Sequence, residues 1–315
     1  MILAAGLGTR MAPLSSTHAK PALPLLDEPL VLRLARQLAA AGAERLVINA
    51  HAHPESLREA LRDAPLPVDF SLEPELLGSG GGIAAARPAL DGEDPFIVAN
   101  GDMVLDLDLP ALLEAHRRAG ALVTLALRDD PRKKEFGTIG YDSHGRVRRI
   151  TSRIDLGGEV GCGLFIGVHV IEPRIFARMP RGAFEILPAV YVPALRDGET
   201  LQTWLQPVDE RWWPVGSPAE LLDANLRALR ERGARARCLG AGALVRGALE
   251  PPVWIGAGAV VEAGASAGPD AVIGRDARVP RGAALRETLL LPGTRAPARG
   301  LRRAIVHADE AWCDA

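Results

Sequence analysis

Near the amino terminus the chain reads Met1-Ile-Leu-Ala-Ala-Gly-Leu-Gly-Thr-Arg10, and Ala19-Lys20-Pro21 follows about ten residues later. An apolar strand thus runs into a glycine turn, and an arginine and then a lysine come after it. Those residue types in that order suit a polyphosphate. Small residues let backbone N–H groups approach phosphate oxygens, arginine offers a planar fork, and lysine offers a point charge. Two familiar glycine patterns do not describe the segment. The dinucleotide fingerprint wants a third glycine where Met11 stands, and the Walker pattern wants Gly-Lys-Ser/Thr after its loop. Taken by itself, the segment also reads as a tight strand-to-helix turn. Further on, Asn100-Gly-Asp102 closes another apolar run. Its carboxylate is the hard ligand that Mg²⁺ prefers, although all three residues also favour plain turns.

The elements that must position these groups follow from periodicity. Met1–Ala5, Leu46–Asn49, Val68–Leu72, Phe96–Ala99 and Leu122–Leu127 are predicted strands. Leu30–Ala41, Pro54–Arg62, Ile83–Arg87 and Pro110–Ala119 are predicted helices between them. Such alternation predicts a doubly wound α/β sheet, parallel through this stretch, with ligands outside the carboxyl ends of its strands. Gly6–Arg10 and Asn100–Asp102 both follow strand ends and are expected to face one cleft. From 135 to 216 the pattern changes to hairpin-like pieces, read as a lid and sugar pocket, with Phe184–Leu195 helical. A mixed sheet results. Ala219–Arg232 is an amphipathic helix, entered through a capping Ser217 and Pro218.

A six-residue period then takes over. Ile255, Val261, Ala267, Ile273, Val279 and Leu285 each open a hexad, and earlier hexads start at Leu239 and Val245. One inward aliphatic residue every six positions builds a parallel β-helix, each hexad forming one face of a triangular coil. The reading divides the chain into residues 1–236, a coil over 237–300 and a tail over 301–315.

Leu-Ala-Ala-Gly-Leu-Gly-Thr-Arg-Met, Lys20-Pro21, Gly78-Ser-Gly-Gly-Gly-Ile83 and Asn100-Gly-Asp102, in this order and spacing, resemble the sugar-phosphate nucleotidyltransferases. The branch most similar is that of the mannose-1-phosphate guanylyltransferases and muramate-phosphate uridylyltransferases. The resemblance covers residues 1–230. The hexads resemble the left-handed β-helix attached to several such enzymes. The resemblance implies a Rossmann-like domain whose Arg10, Lys20 and Asp102 are catalytic. Arg10 would hold pyrophosphate, Lys20 the α-phosphate or sugar phosphate, and Asp102 the Mg²⁺. It further implies nucleotide contacts from Leu3, Ala5, Gly6, Gly8, Thr9, Arg10, Glu73, Gly78, Ser79 and Gly80. Gly137, Arg153 and Gly167 would serve the sugar phosphate. A carboxylate at Glu73 suits the N1 and N2 donors of guanine, so GTP with mannose 1-phosphate comes first. UTP with an amino-sugar or muramate phosphate comes second.

Departures from the family pattern matter. Its Trp-x-Asp-Val/Ile-Gly-Thr-Pro segment supplies a second carboxylate to the metal, whereas here Trp212-Trp213-Pro214-Val215-Gly216-Ser217-Pro218 puts proline there. Phe165-Ile166-Gly167 lacks the polar residue often found before the glycine. The upstream Glu-Lys-Pro is missing, which leaves Arg153 as the cation for the sugar phosphate. A sugar-nucleotide-binding regulatory subunit without turnover is therefore the alternative. Acyl transfer on the coil is disfavoured, because His307 lies beyond the repeat. His51-x-His53 lacks a third metal ligand and reads as loop. Trp212-Trp213 reads as structural, and Cys162 has no activating neighbour.

Bulk properties set the remaining expectations. The 315 residues are 48% hydrophobic and 24% charged, with a net charge of −2, so no nucleic-acid footprint is present. Three dispersed cysteines suggest neither a disulfide framework nor a zinc site. No apolar run approaches 18 residues and no basic leader precedes the first strand. The expectation is a cytoplasmic, membrane-free homo-oligomer that takes a nucleoside triphosphate and a sugar 1-phosphate.

Overall fold

The computed structural model describes residues 1–92, 94–133, 137–308 and 310–313. Residues 135 and 136, where the lid was expected to begin, and the last two of the tail lie outside the described residues. Contacts divide the chain into two compact units, Met1–Leu7 with Val31–Trp212, and Gly8–Leu30 with Trp213–Ala315.

In the first unit, Ile2–Leu3 lies between Leu46–Ala50 and Phe96–Asn100 and runs parallel to both. Val68–Leu72 extends this parallel set. Leu46-Val-Ile-Asn-Ala is buried throughout, and its nearly continuous apolar composition suits a strand covered on both faces. The parallel arrangement does not continue to Leu127 as expected. The eleven-residue strand Gly161–Ile171 inserts between Phe96–Asn100 and Val123–Arg128 and runs antiparallel to each. Local strand-helix alternation carries no information about pairing, and this strand is long enough to bond two neighbours along its length. Leu201–Leu205 closes that edge, parallel to Val123–Arg128. The near end of Gly161–Ile171 pairs with Ile139–Tyr141, which continues into Val147–Ile150 and Ile154–Asp155. The sheet is therefore mixed, with the expected hairpins on one flank.

The segment read as helical over 184–195 with an early interruption at Pro188 is a π-helical turn Leu187–Tyr191 that runs directly into an α-helix Val192–Arg196. Pro188 and Pro193 both remove backbone donors there, which breaks the regular ladder. The glycine-run helix begins at Gly78 rather than Ile83 and ends at Ala85.

In the second unit, helix Pro218–Arg230 begins at Ser217, whose side chain accepts from the Glu220 amide. Fully buried Asn225 on this helix accepts from the Leu26 amide at 2.6 Å and donates to the Pro24 carbonyl at 3.0 Å. This pins the Pro24–Pro29 hairpin to the helix. Parallel ladders follow from Arg237. Ala248 faces Ser266 and Ser266 faces Ala284, eighteen residues apart each time, and Val260 faces Arg278 at the same step. Eighteen is three hexads, an arrangement compatible with a β-helix. Ile255, Val261, Ala267, Ile273, Val279 and Leu285 all have 0% exposure. The first turn differs, with Leu239 58% exposed. Regular structure also runs past residue 300, where a tail was read. Gly300–His307 pairs in parallel with Ala284–Leu290 and antiparallel with Glu310–Cys313. Buried Leu301, Ala304 and Val306 continue the inward pattern at changed spacing, which the six-residue template did not capture.

Candidate functional site

The carboxyl edge of the parallel strands organises the first unit. Leu3 stands opposite both Asn49 and Asn100, and the Gly101 amide donates to the Leu3 carbonyl at 2.9 Å. Consequently Ala4–Gly6 and Gly101–Asp102 leave adjacent strands at the same edge. Gly6 is exposed, and a Cβ added there would meet nothing within 4 Å. Asp102 is half-buried, and Ala5 is buried beneath the turn. In open α/β sheets ligands bind outside the carboxyl ends of the strands, where this edge lies.

Three sugar-phosphate expectations fare differently. Gly167 is buried with φ +77°, and a Cβ there would lie 2.5 Å from the Asn100 side-chain nitrogen. It marks the register shift of its strand between Phe165 and His169, as glycines at bulges do. The missing side chain at Gly167 therefore makes room for Asn100. Gly137, at φ +78°, sits against Thr151, with its added Cβ 3.1 Å from the threonine methyl. Arg153 is exposed on the turn between Val147–Ile150 and Ile154–Asp155.

The glycine helix is packed rather than open. The Gly80 and Gly81 amides both donate to the Phe184 carbonyl, at 2.9 and 3.2 Å. Ser79 Oγ donates to Glu185 and accepts from the Ile186 amide at 3.0 Å. A Cβ at Gly78 would fall 2.7 Å from the Phe184 carbonyl oxygen. Ser79 and Gly80, expected to face a nucleotide, thus spend these groups on residues 184–186. Glu73 is engaged as well. It is 4% exposed, its Oε1 accepts from Asn49 at 2.7 Å, and its Oε2 accepts from the Leu77 amide at 3.0 Å.

In the second unit, Gly8 adopts φ +61°, a conformation that favours glycine, and starts the Thr9–Met11 turn. A Cβ there would lie 3.3 Å from Ser15 and 3.6 Å from Lys20 Cβ, so the turn brings Lys20 beside Gly8. Thr9 and Arg10 are exposed, while Met11 beneath them has 0% exposure. Arg10 reaches across Gly216, where an added Cβ would sit 3.5 Å from its guanidinium nitrogen. The Gly216 amide donates to Glu220 at 2.6 Å, and Ser217 Oγ accepts from the Glu220 amide at 3.3 Å. This reciprocal cap holds the Gly216–Pro218 corner on which Arg10 lies.

Pro214 ends the strand Trp212–Pro214 and offers no side-chain oxygen. Among the described residues, no three of His, Cys, Asp and Glu gather as a metal site. The half-buried Asp102 carboxylate at the strand edge is the type of donor Mg²⁺ takes, since that ion keeps its waters and needs only one or two carboxylates beside substrate phosphate. His51 donates from Nδ1 to the Glu73 carbonyl at 2.8 Å, and His53 precedes helix Pro54–Ala60 at φ 51°. Trp212 is buried, donates to the Met103 sulfur at 3.3 Å, and carries Arg132 over its ring at 4.6 Å. The residues that sequence reasoning missed are Asn49, Phe184 and Glu220, together with the packing of Asn100 over Gly167. Asn49 had a signal, since it is the single polar residue in an apolar strand.

Residues 1–153 match the nucleotidyl transferase family. A UTP–glucose-1-phosphate uridylyltransferase of Synechocystis is 27% identical over 233 residues, covering 69% of this chain and 59% of that protein. A mannose-1-phosphate guanyltransferase of Emericella nidulans is 27% identical over 244 residues, covering 75% and 66%. The chain thus spans about three-fifths to two-thirds of the length of these two relatives. The crystal structure of HddC from Yersinia pseudotuberculosis complexed with GMP-PN superposes with a TM-score of 0.58 at 23% identity, covering 72% of this chain and 97% of that one. That likeness speaks to the fold alone. No helix among the described residues is long and apolar enough to cross a membrane. Through residues 1–153 the chain is therefore similar to the nucleotidyl transferases, and the two relatives it matches act on sugar 1-phosphates.

Proposed function

We propose that the protein joins a nucleoside triphosphate to a sugar 1-phosphate. A phosphate oxygen of the sugar 1-phosphate attacks the α-phosphorus. The new P–O bond forms as the bond to the α,β-bridging oxygen breaks, and pyrophosphate leaves with that electron pair. The observation that carries this reading is the shared strand edge, where the Leu3–Asn100 register sends exposed Gly6 and the Asp102 carboxylate out from neighbouring strands. No covalent nucleophile is needed, so catalysis is positioning and charge neutralisation.

Within that reaction Gly6 and Gly8 present backbone donors to the β- and γ-phosphates, with Leu3, Ala5 and Thr9 shaping the turn. Arg10 neutralises departing pyrophosphate through its fork, and Lys20 serves the α-phosphate or the incoming sugar phosphate as a point charge. Asp102 would hold Mg²⁺, which supplies charge neutralisation at the phosphates when bound. Arg153 and Gly137 are assigned to the sugar phosphate. The chemistry is assigned to residues 1–236, and the parallel ladders from 237 are read as a left-handed β-helix that mediates homo-oligomer contacts.

GTP with mannose 1-phosphate is the first pair to test. Its support is the guanyltransferase relative. UTP with glucose 1-phosphate or a muramate phosphate is the second, in keeping with the uridylyltransferase relative. Pyrophosphate release, measured for four triphosphates against several sugar 1-phosphates with Mg²⁺, should single out one pair.

Pro214 favours a second reading, a subunit that binds sugar nucleotide without making it. Titration calorimetry distinguishes the two. Tight NDP-sugar binding without synthesis supports the second reading, and synthesis restored by Pro214→Asp would identify the missing carboxylate as its cause.

A further inference from the structure

A buried run of hydrogen bonds crosses the first unit beneath the strand edge. The Ala4 amide donates to Asn49 Oδ1 at 2.7 Å, and Asn49 Nδ2 donates to Glu73 Oε1 at 2.7 Å. Glu73 Oε2 then accepts from the Leu77 amide at 3.0 Å. Asn49 is 3% exposed and Glu73 4%. Ala4 stands two residues before Gly6, and Leu77 is the residue from which helix Gly78–Ala85 begins. The Glu73 backbone is also fixed, its amide donating to the Ala50 carbonyl at 2.8 Å and its carbonyl accepting from His51. Gly82 accounts for the remaining space, because a Cβ there would lie 2.6 Å from Glu73 Oε1 and 2.7 Å from Asn49 Nδ2.

We propose that Asn49 and Glu73 are positioning residues for nucleotide binding, a two-residue relay that fixes the turn after the first strand against the entry of the glycine helix. The proposal rests on the nucleotidyltransferase reading for its kinetic consequence, but its geometry stands apart from that reading. Both ends of the relay are backbone donors, which cannot change. Between them the two side chains must offer one acceptor to each end and share a single donated hydrogen. A carboxamide at 49 with a carboxylate at 73 satisfies this. So does the reverse, a carboxylate at 49 with a carboxamide at 73. Two carboxamides set donor against donor, and two carboxylates set like charges together out of water. Leaving a buried donor unpaired typically costs 1–3 kcal/mol, on the order of ten-fold in an equilibrium.

The test is a swap. Asn49→Asp, Glu73→Gln and the double variant are each examined for amide protection at Ala4 and Leu77 by NMR hydrogen exchange. KM and kcat come from pyrophosphate release with varied triphosphate. Each single variant should lose protection at one or both amides and raise KM for the triphosphate about ten-fold, with kcat within about three-fold of wild type. The double variant should restore protection and return KM to within about three-fold of wild type. A double variant no better than the worse single, or singles that lower the melting temperature while leaving KM unmoved, would overturn the proposal. If the wild-type protein turns over no triphosphate at all, the nucleotidyltransferase reading fails, and amide protection in the swap alone then decides whether the relay exists.

Discussion

Two segments of small residues in this chain, one around Gly6 and one over Gly78–Gly82, have opposite surroundings. Around Gly6 small residues leave space, since Gly6 is exposed and a Cβ there would touch nothing. Around Gly78–Gly82 small residues give space away. Phe184 and its neighbours fill it from one side, and the Asn49–Glu73 pair fills it from the other. A run of glycines is therefore not by itself a phosphate cradle. What distinguishes the two is whether another part of the chain already occupies the groove.

The comparison is sharpened first by removing charge next to the open segment. Arg10→Gln and Asp102→Asn should each lower kcat for NDP-sugar synthesis by on the order of 10²–10³, as loss of a preorganised group does elsewhere. Circular-dichroism melting should not move, because neither side chain is part of a buried core. Glycine substitution comes next and runs in opposite directions. Gly80→Ala drives a methyl into the Phe184 ring and should destabilise the fold by about 1–3 kcal/mol, read as a lowered urea midpoint at unchanged slope. Gly6→Ala has room for its methyl and a backbone outside the left-handed region, so the midpoint should stay put while KM for the triphosphate rises a few-fold. A Gly6→Ala variant that unfolds as readily as Gly80→Ala would erase the distinction.

The smallest effect lies in the core between the strands. Burial pushes the His169 imidazole down to about 3 from 6.5, and Tyr191 OH sits 2.7 Å from its Nδ1. Burial also lowers His116. A histidine held neutral in the fold takes up its proton on unfolding, so its contribution is fully present above about pH 6.5 and declines as pH falls below that. Thermal melting followed from pH 7.5 to pH 5 should show this acid limb, and His169→Gln should make it shallower.

Legibility in the sequence followed periodicity and failed at pairing. The first strand, its glycine turn and the hexads were readable because each is a local pattern, and the six hexad-opening residues are fully buried. The insertion of Gly161–Ile171 between two expected neighbours was not readable, since nothing local records which strand a strand will meet. Glu73 looked like a base reader because it precedes the glycine run. Its partner Asn49 lies on another strand, and only the fold brings the two within 2.7 Å. The packing of Gly80 was hidden for the same reason, with Phe184 about a hundred residues away filling the space beside it. Asn100, by contrast, was noticed as part of a turn, and its packing over Gly167 emerges only from the antiparallel register of the two strands.

Coupled pyrophosphate release with Mg²⁺, GTP and mannose 1-phosphate, run beside the other triphosphates and sugar 1-phosphates, tests the central claim most directly. The account predicts turnover with one such pair, lost by about two to three orders of magnitude in Arg10→Gln. Absence of turnover with every pair at high enzyme concentration, or equal rates in wild type and Arg10→Gln, would contradict it.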